Sequence, residues 1–518
     1  MARHSGTATD YIDAAQKLAL YCVNNAATLV VVAGGGTGYV VGEILTVSGG
    51  TATTLGATTL EVTAETAGVI DSGGVKIINS GSYTTNPTNA VSTTGSTNDD
   101  ATFTMTYTNL GWTQERRTQE AASATVAAGG TSGYIVGDLL TVVGGTDVRT
   151  TAIFRVATIN GSGVVLTVDQ GTGAVVGNYG EVPANNVAVT GGSGTGAVTL
   201  TVTWADALTQ DSDFILNGNG AGADDIFVGI RTYNDTSVFN WELAGFTGFD
   251  AGLTWENQAS ISIGRNDNQV AGIIGGSFVP VANTSAQSVT YWFQVDSYSI
   301  TMVMRNGTSY TSGHMGWLNP FGTASEFPYP LFVGGSTADP AQSISDTDVS
   351  FSGFSDPIVY VANINGPCQY RTPAGAWVNV SNSNVQSSIR QVNNDWTIFP
   401  AGKGLTDTPN PVAEEDLTFE DTFNFDDIIP ATGIPGSSTF DMDQTPATGD
   451  DVTFFWPLTL VQQDGASQVH GEIRNCYWAS TQGGVVSEDT FRPGGVDYRI
   501  FQNGNRTNTW AHWVMREN

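Results

Sequence analysis

The chain has 518 residues and a formal net charge of -31, from 49 Asp and Glu against 18 Lys and Arg. A surface of that sign repels phosphate backbones, which argues against a nucleic-acid partner. Charged residues make up only 13%, hydrophobic residues 40% and aromatics 10%, so the composition is not that of a disordered chain.

With 63 glycines and almost no long 3.6-residue periodicity, the chain reads as all-β with many turns. Its length accommodates two to four domains at roughly 100–200 residues each. Cys22, Cys368 and Cys476 are odd in number and far apart, so they offer neither a disulfide framework nor metal spacing, and read as reduced thiols. No apolar run approaches the roughly 18 residues of a membrane span, so no membrane insertion is expected. The first residues lack the apolar segment of a signal peptide, and release by lysis is expected.

Residues 1–27 hold the one strong helix pattern. Thr9 or Asp10 can cap it, Tyr11, Ala14, Ala15, Leu18, Leu20, Tyr21 and Val23 form its apolar stripe, and Asn24-Asn25 end it. It reads as a docking helix, against the chain's own β domain or a neighbouring subunit. An internal repeat follows. Gly38 to Thr51 matches Gly133 to Thr146 at an offset of 95, and Gly81, Tyr83 and Pro87 match Gly177, Tyr179 and Pro183 at an offset of 96. Each copy ends in an alternating strand, Ala101 to Thr108 and Ala197 to Trp204. The pattern indicates a duplicated small β module, sandwich or barrel, at 28–108 and 124–204, with a base segment at 109–123 between the copies.

A base β domain is expected at 205–337. Gly218, Gly220 and Ala223 have dinucleotide-fingerprint spacing, but a strand pattern follows them instead of the required helix, so they read as a hairpin turn. From Tyr291 to Arg305, strict alternation predicts a pair of half-buried strands. Asn306-Gly307 then predicts a tight hairpin, with the next strand over Thr308 to Met315. The run Trp317, Pro320, Phe321, Phe327, Pro328, Tyr329, Pro330, Phe332 reads as an extended crossover, because proline cannot donate to a ladder. Its aromatics fit a β core or a platform for glycans.

Residues 338–450 read as a second β region ending in an acidic loop or arm over 401–450. Core candidates there are Phe351, Phe354, Ile358, Tyr360, Tyr370, Trp377, Val378 and Trp396. The C-terminal β region, 451–518, carries strand patterns at Val452 to Trp456, Gly471 to Trp478, Val496 to Phe501 and Thr509 to Val514.

Chemistry-bearing patterns are sparse. Asp224-Asp225, Glu414-Glu415-Asp416, Asp426-Asp427 and Asp450-Asp451 could supply a glycosidase pair, but neighbouring strand residues point to opposite faces, and solvated loops are the simpler reading. Asp441 and Asp443 alternate as in a calcium loop but lack its Gly and closing Glu; a surface calcium between subunits stays open. His4, His314, His470 and His512 have no zinc spacing, and there is no nucleophile elbow, P-loop or Cys–His pattern. No catalytic residue, cofactor or metal ligand is expected, and the chain does not read as an enzyme.

The segments YWF, SYSITMVMR, GHMGWLNPFGT and EFPYPLFVGGS between Tyr291 and Ser336 resemble a family of tailed-bacteriophage virion structural proteins. TATDYIDAAQKLALYCVNNAA near the start and VHGEIRNCYW and YRIFQNGNRT near the end extend the resemblance to residues about 1–27, 109–120 and 210–518. The repeated GYxVGDxLTVxGGT pattern is similar to modules of phage tail, fibre and baseplate proteins. The resemblance implies a discontinuous, sandwich-like base domain with both modules inserted into its loops as outward acidic lobes. It implies a virion location, a trimer or ring of identical chains, and contact with other virion proteins and host surface polysaccharide. The tail side, baseplate or fibre, is the expected position. Head or neck decoration, a glycan-binding adhesin and a depolymerase are the alternatives. Trp317, Tyr329 and Trp377 are the candidate glycan or subunit contacts.

Overall fold

In the computed structural model the described residues are 1–96, 98–206, 212–219, 224–235, 238–262, 277–282, 288–307, 309–335, 368–379, 385–387, 455–464, 466–479, 486–502 and 512–517. Their strands form five large antiparallel sheets and one two-stranded ribbon, accompanied by a single α-helix. The chain is all-β.

The central sheet runs in the order Ala2–Ala8, Val289–Val295, Ser299–Asn306, Ser309–Trp317, Leu331–Gly335, Cys368–Arg371, Trp377–Asn379. Alternation sends Tyr291, Phe293, Val295, Ile300, Met302 and Met304 to one face. There they pack against Phe214, Leu216, Val228 and Trp241 of a second sheet, built from Thr113–Arg117, Asp213–Gly218, Ile226–Asp235, Val238–Phe246 and Ser277–Ala282. The expected half-burial does not hold, because the opposite face is covered as well. Trp292, Gln294, Thr301 and Val303 are buried under a third sheet, with the Trp292 ring edge-on to Phe501 at 5.4 Å. That third sheet contains Phe455–Asp464, Ala466–Ala479, His512–Arg516 and Tyr498–Gln502. Polar residues at alternate positions here mark a face between two sheets rather than a wet one.

Asn306 pairs with Ser309 across the predicted hairpin, and Gly307 takes φ +61, a conformation that asks for glycine at this turn. The following strand, Ser309–Trp317, runs two residues further than expected. The aromatic–proline run is only partly a crossover. Asn319–Pro320 pairs with Gly471 and Glu472 of the strand Ala466–Ala479 in the third sheet, and Leu331–Gly335 is an inner strand of the central sheet, starting just after Pro330 so that no proline interrupts its ladder.

The helix spans Tyr11–Cys22. Asp10 caps it, its carboxylate accepting the Asp13 N–H at 2.8 Å. Its buried face, including Ala14, Leu18 and Tyr21, fills the space between the central and second sheets, and the Trp241 indole N–H donates to the Tyr11 carbonyl at 2.9 Å. Ahead of it, Ala2–Ala8 is a strand in full register with Val289–Val295, an element that the ARHSGTA sequence does not announce.

Two further sheets, within residues 25–109 and 119–206, have equivalent strand orders. The first runs Thr51–Ala52, Tyr83–Thr85, Asn25–Gly34, Thr102–Asn109, Val91–Thr94, Ile44–Val47, Thr59–Val62, Val75–Asn79. The second runs Thr146–Thr150, Asn178–Glu181, Gln119–Gly129, Val198–Asp206, Val187–Gly191, Leu139–Val142, Ile153–Ile159, Val165–Asp169. The Tyr83 hydroxyl accepts the Thr58 N–H at 2.7 Å, and the Tyr179 hydroxyl accepts the Ala152 N–H at 2.8 Å at the equivalent place. In each unit the chain leaves the layered base through one strand and returns through its hydrogen-bonded neighbour.

Gly218 pairs with Ile226 in an antiparallel hairpin, so no helix follows the glycines and the dinucleotide reading fails. Tyr370 and Trp377 are core residues. Phe351, Phe354, Ile358, Tyr360, Trp396 and the 401–450 arm lie outside the described residues, as do the carboxylates from Glu414 to Asp451.

Candidate functional site

The three candidate contact residues do not form a platform. Trp317 is 3% exposed and belongs to the main core. Trp377 is 7% exposed, and its indole N–H donates to the Ser260 carbonyl at 2.8 Å. Tyr329 is half-buried against the same core, with the Arg371 guanidinium 5.4 Å from its ring centre. An aromatic side chain can withdraw roughly 150–250 Å² from water, and the central sheet uses the two tryptophans that way. Trp317 and Trp377, expected as glycan or subunit contacts, are thus almost wholly enclosed within this chain.

The sheets do bring together a histidine and a cysteine that sequence spacing hides. His314 Nδ1 lies 2.8 Å from Thr301 Oγ1 and 3.7 Å from Cys476 Sγ, across the central and third sheets. The pair is separated by 162 residues, so no local motif could reveal it. Burial lowers the His314 pKa to about 3 and pushes the Cys476 thiol up. Both groups are therefore neutral and enclosed, the reverse of a thiolate–imidazolium pair. His470, near Cys476 in sequence, instead meets the Tyr370 hydroxyl at 2.7 Å. Asp224 accepts the Tyr329 N–H at 3.4 Å. Among the described residues no group of three or more His, Cys, Asp or Glu side chains is placed to hold a metal, and no helix is long and apolar enough to cross a membrane.

The densest electrostatics lie where the second of these two units, residues 119–206, joins the base. At the second unit, Arg116 is fully buried and its guanidinium pairs with Asp213 at 3.1 Å and with Asp147. Arg149 reaches Asp213 from the unit's side, and Thr118 Oγ1 donates to the same carboxylate at 2.9 Å. Burial alone would raise the Asp213 pKa, but Arg149, Arg116 and Arg231 outweigh it and hold the carboxyl below its usual range. On the same sheet Arg231 bridges Glu242 and Glu256, and burial pushes Glu242 up to about 7. The only advance notice of this cluster is the Glu115-Arg116-Arg117 triplet.

The first unit is joined by neutral groups. Ser80 N–H donates to the Arg3 carbonyl at 2.8 Å, and the Arg3 N–H donates to Ser80 Oγ at 3.1 Å. His4 Nδ1 meets Asn79 Oδ1 at 2.6 Å, its Nε2 meets the Tyr291 hydroxyl at 3.1 Å, and its ring stacks on Tyr21. Burial lowers the His4 pKa to about 4, the Asn79 contact offsetting part of the effect.

No protein-family model matches the chain, and no curated protein matches it. The arrangement as a whole consists of a layered base and two units of equivalent strand order joined to it by the contacts above.

Proposed function

We propose that the chain is a structural component of a tailed bacteriophage particle, placed in the tail as part of a baseplate or fibre and assembled as a symmetric oligomer. In this reading the three-layered base packs into the particle and the two curled units, a duplicated and inserted module, face outward. The observation that carries it is the repeated exit and return of the chain through neighbouring strands. That construction hangs two units of the same strand order on one base without disturbing its layers, because lengthening a loop costs little. The sequence resemblance through Tyr291–Thr337 supplies the class of particle. The burial of Trp317 and Trp377 favours structural work over a glycan-binding adhesin built on those two side chains.

The test is immunogold labelling of intact particles with an antibody to residues 124–203. Gold at the tail tip is the expected result. Gold on the capsid or neck would move the role to decoration. A chain present in particles by mass spectrometry yet unlabelled would end the outward placement, and a chain absent from particles would end the reading itself.

A further inference from the structure

Each unit carries the same exposed aliphatic turn. Val40 and Val41 are each 61% exposed, and their counterparts Ile135 and Val136 are 59% and 56% exposed. Ile44 and Leu139, one turn further on, are exposed as well. The turns are built alike. The Glu43 N–H donates to the Val40 carbonyl at 3.2 Å, and the Asp138 N–H to the Ile135 carbonyl at 3.2 Å. Gly42 and Gly137 take φ +90 and +99. The acid at the fourth position closes each turn from the other side, Glu43 accepting the Val40 N–H at 3.2 Å and Asp138 the Ile135 N–H at 3.0 Å. Tyr39 and Tyr134 pin the turns to the neighbouring loops through Gly68 and Gly163. Such rigid turns expose aliphatic groups at no gain to the fold, and the chain does so twice.

The surroundings state the chemistry of what covers them. Glu43, Glu65 and Asp100 border the first turn and Asp138 the second, each occupied with backbone N–H groups. Among the described residues none of the four forms an ion pair with Lys or Arg, so their charge is uncompensated. A second copy of this chain is a poor source of the missing cations. Lys and Arg number 18 in all, and Arg3, Arg116, Arg149, Arg231 and Arg499 are already engaged in internal ion pairs.

We propose that the Val40-Val41 and Ile135-Val136 turns are paired docking points for one partner, a neighbouring particle protein with apolar recesses rimmed by Lys and Arg. This rests on the particle reading above. The aliphatic side chains supply the buried centre of the contact and the carboxylates its steering and register. Two points on one chain also make the contact bivalent, so either alone can be weak.

The experiment places a photo-crosslinking amino acid at position 41 or 136 of the full chain, illuminates assembled particles, and sequences the crosslinked peptides. Crosslinks from both positions to Lys- or Arg-bearing peptides of a different particle protein are expected. Crosslinks to another copy of this chain, or none from a chain that is present in particles, overturn the partner while leaving the particle reading intact. Absence of the chain from particles overturns the particle reading and the partner with it. As a second measurement, the V41D/V136D variant should melt like the parent yet enter particles about tenfold less, as expected for loss of central apolar anchors. Undiminished incorporation overturns the proposal.

Discussion

Two units with one strand order are fastened to the same base by opposite chemistry. The second is held by a buried quartet of charges, Arg116, Asp213, Asp147 and Arg149. The first is held by a backbone exchange at Ser80 and a neutral imidazole on Asn79. Arg3 sits at the first root too, but its charge is turned away toward Asp497 and Glu517. Strand order therefore does not dictate the joint. What differs is which base strand lies under each unit: an edge strand carrying Arg116 under the second, and Ala2–Ala8 under the first. Removing one member of a buried charged joint costs about 3–5 kcal/mol, whereas removing one member of a neutral joint costs less, about 1–3 kcal/mol.

The largest effect should come from breaking the quartet. Asp213→Ala leaves the buried Arg116 guanidinium with Asp147 as its one remaining carboxylate, and leaves Arg149 only its longer pairing with Asp147 at 3.8 Å. Removing one partner of a buried ion pair costs about 3–5 kcal/mol. Urea unfolding should show that loss, and amide exchange should rise first in Thr146–Thr150 at the root. A loss under about 1 kcal/mol would mean water already reaches the cluster.

Acid should separate the two joints. His4 falls from 6.5 in the unfolded chain to about 4 in the fold. Between those values the unfolded chain holds a proton that the native chain does not, so stability falls as pH drops through that window, by about 3 kcal/mol in total. Asp213 acts with the same sign in a lower window: its folded pKa lies below the ordinary value, so its contribution is kept above about pH 4 and lost only below it. His314 adds to the His4 trend, and Glu242, raised to about 7, loses stability as pH rises from 4.5. The clean readout is therefore a difference. His4→Gln should retain more of its pH 7 stability at pH 4 than the parent does, with amide exchange at Val75–Asn79 protected accordingly. Equal acid sensitivity in both proteins would remove His4 from the account.

Much of the framework is legible in local sequence because it rests on local rules. The Asp10 cap, the Asn306-Gly307 turn and the alternation from Tyr291 to Arg305 each encode their geometry within a few residues. What escapes is whatever a distant partner decides. Ala2–Ala8 contains Arg3 and His4, whose burial is made tolerable by Glu517, Asp497, Asn79 and Tyr291, all far away in sequence. Trp317 and Trp377 resemble contact residues until two sheets close over them. His314 and Cys476 meet only because the third sheet folds across the first. The quartet is equally silent, since Arg116 and Asp213 stand 97 residues apart.

The smallest expected effect lies on the outer faces of the units. In the first, Leu29 and Val31 stand opposite Thr106 and Thr104 and are exposed; in the second, the matching pairs place Ser123 opposite Thr203 and Thr125 opposite Thr201. Cross-strand neighbours on this face are hydroxyls in both units, so the aliphatic pair in the first has little to pack against. The double change Leu29→Ser and Val31→Thr gives the first unit the second's surface. It should shift stability by no more than about 0.5 kcal/mol in the isolated chain, as surface substitutions away from caps and cores do. Thr retains the β-branched fit of Val to a strand, and Ser at position 29 gives up only aliphatic area that water already reaches. A loss above 1 kcal/mol by urea unfolding would mean that this face is covered in solution, and the first unit would then be joined to its surroundings by more than the Ser80 and Asn79 contacts.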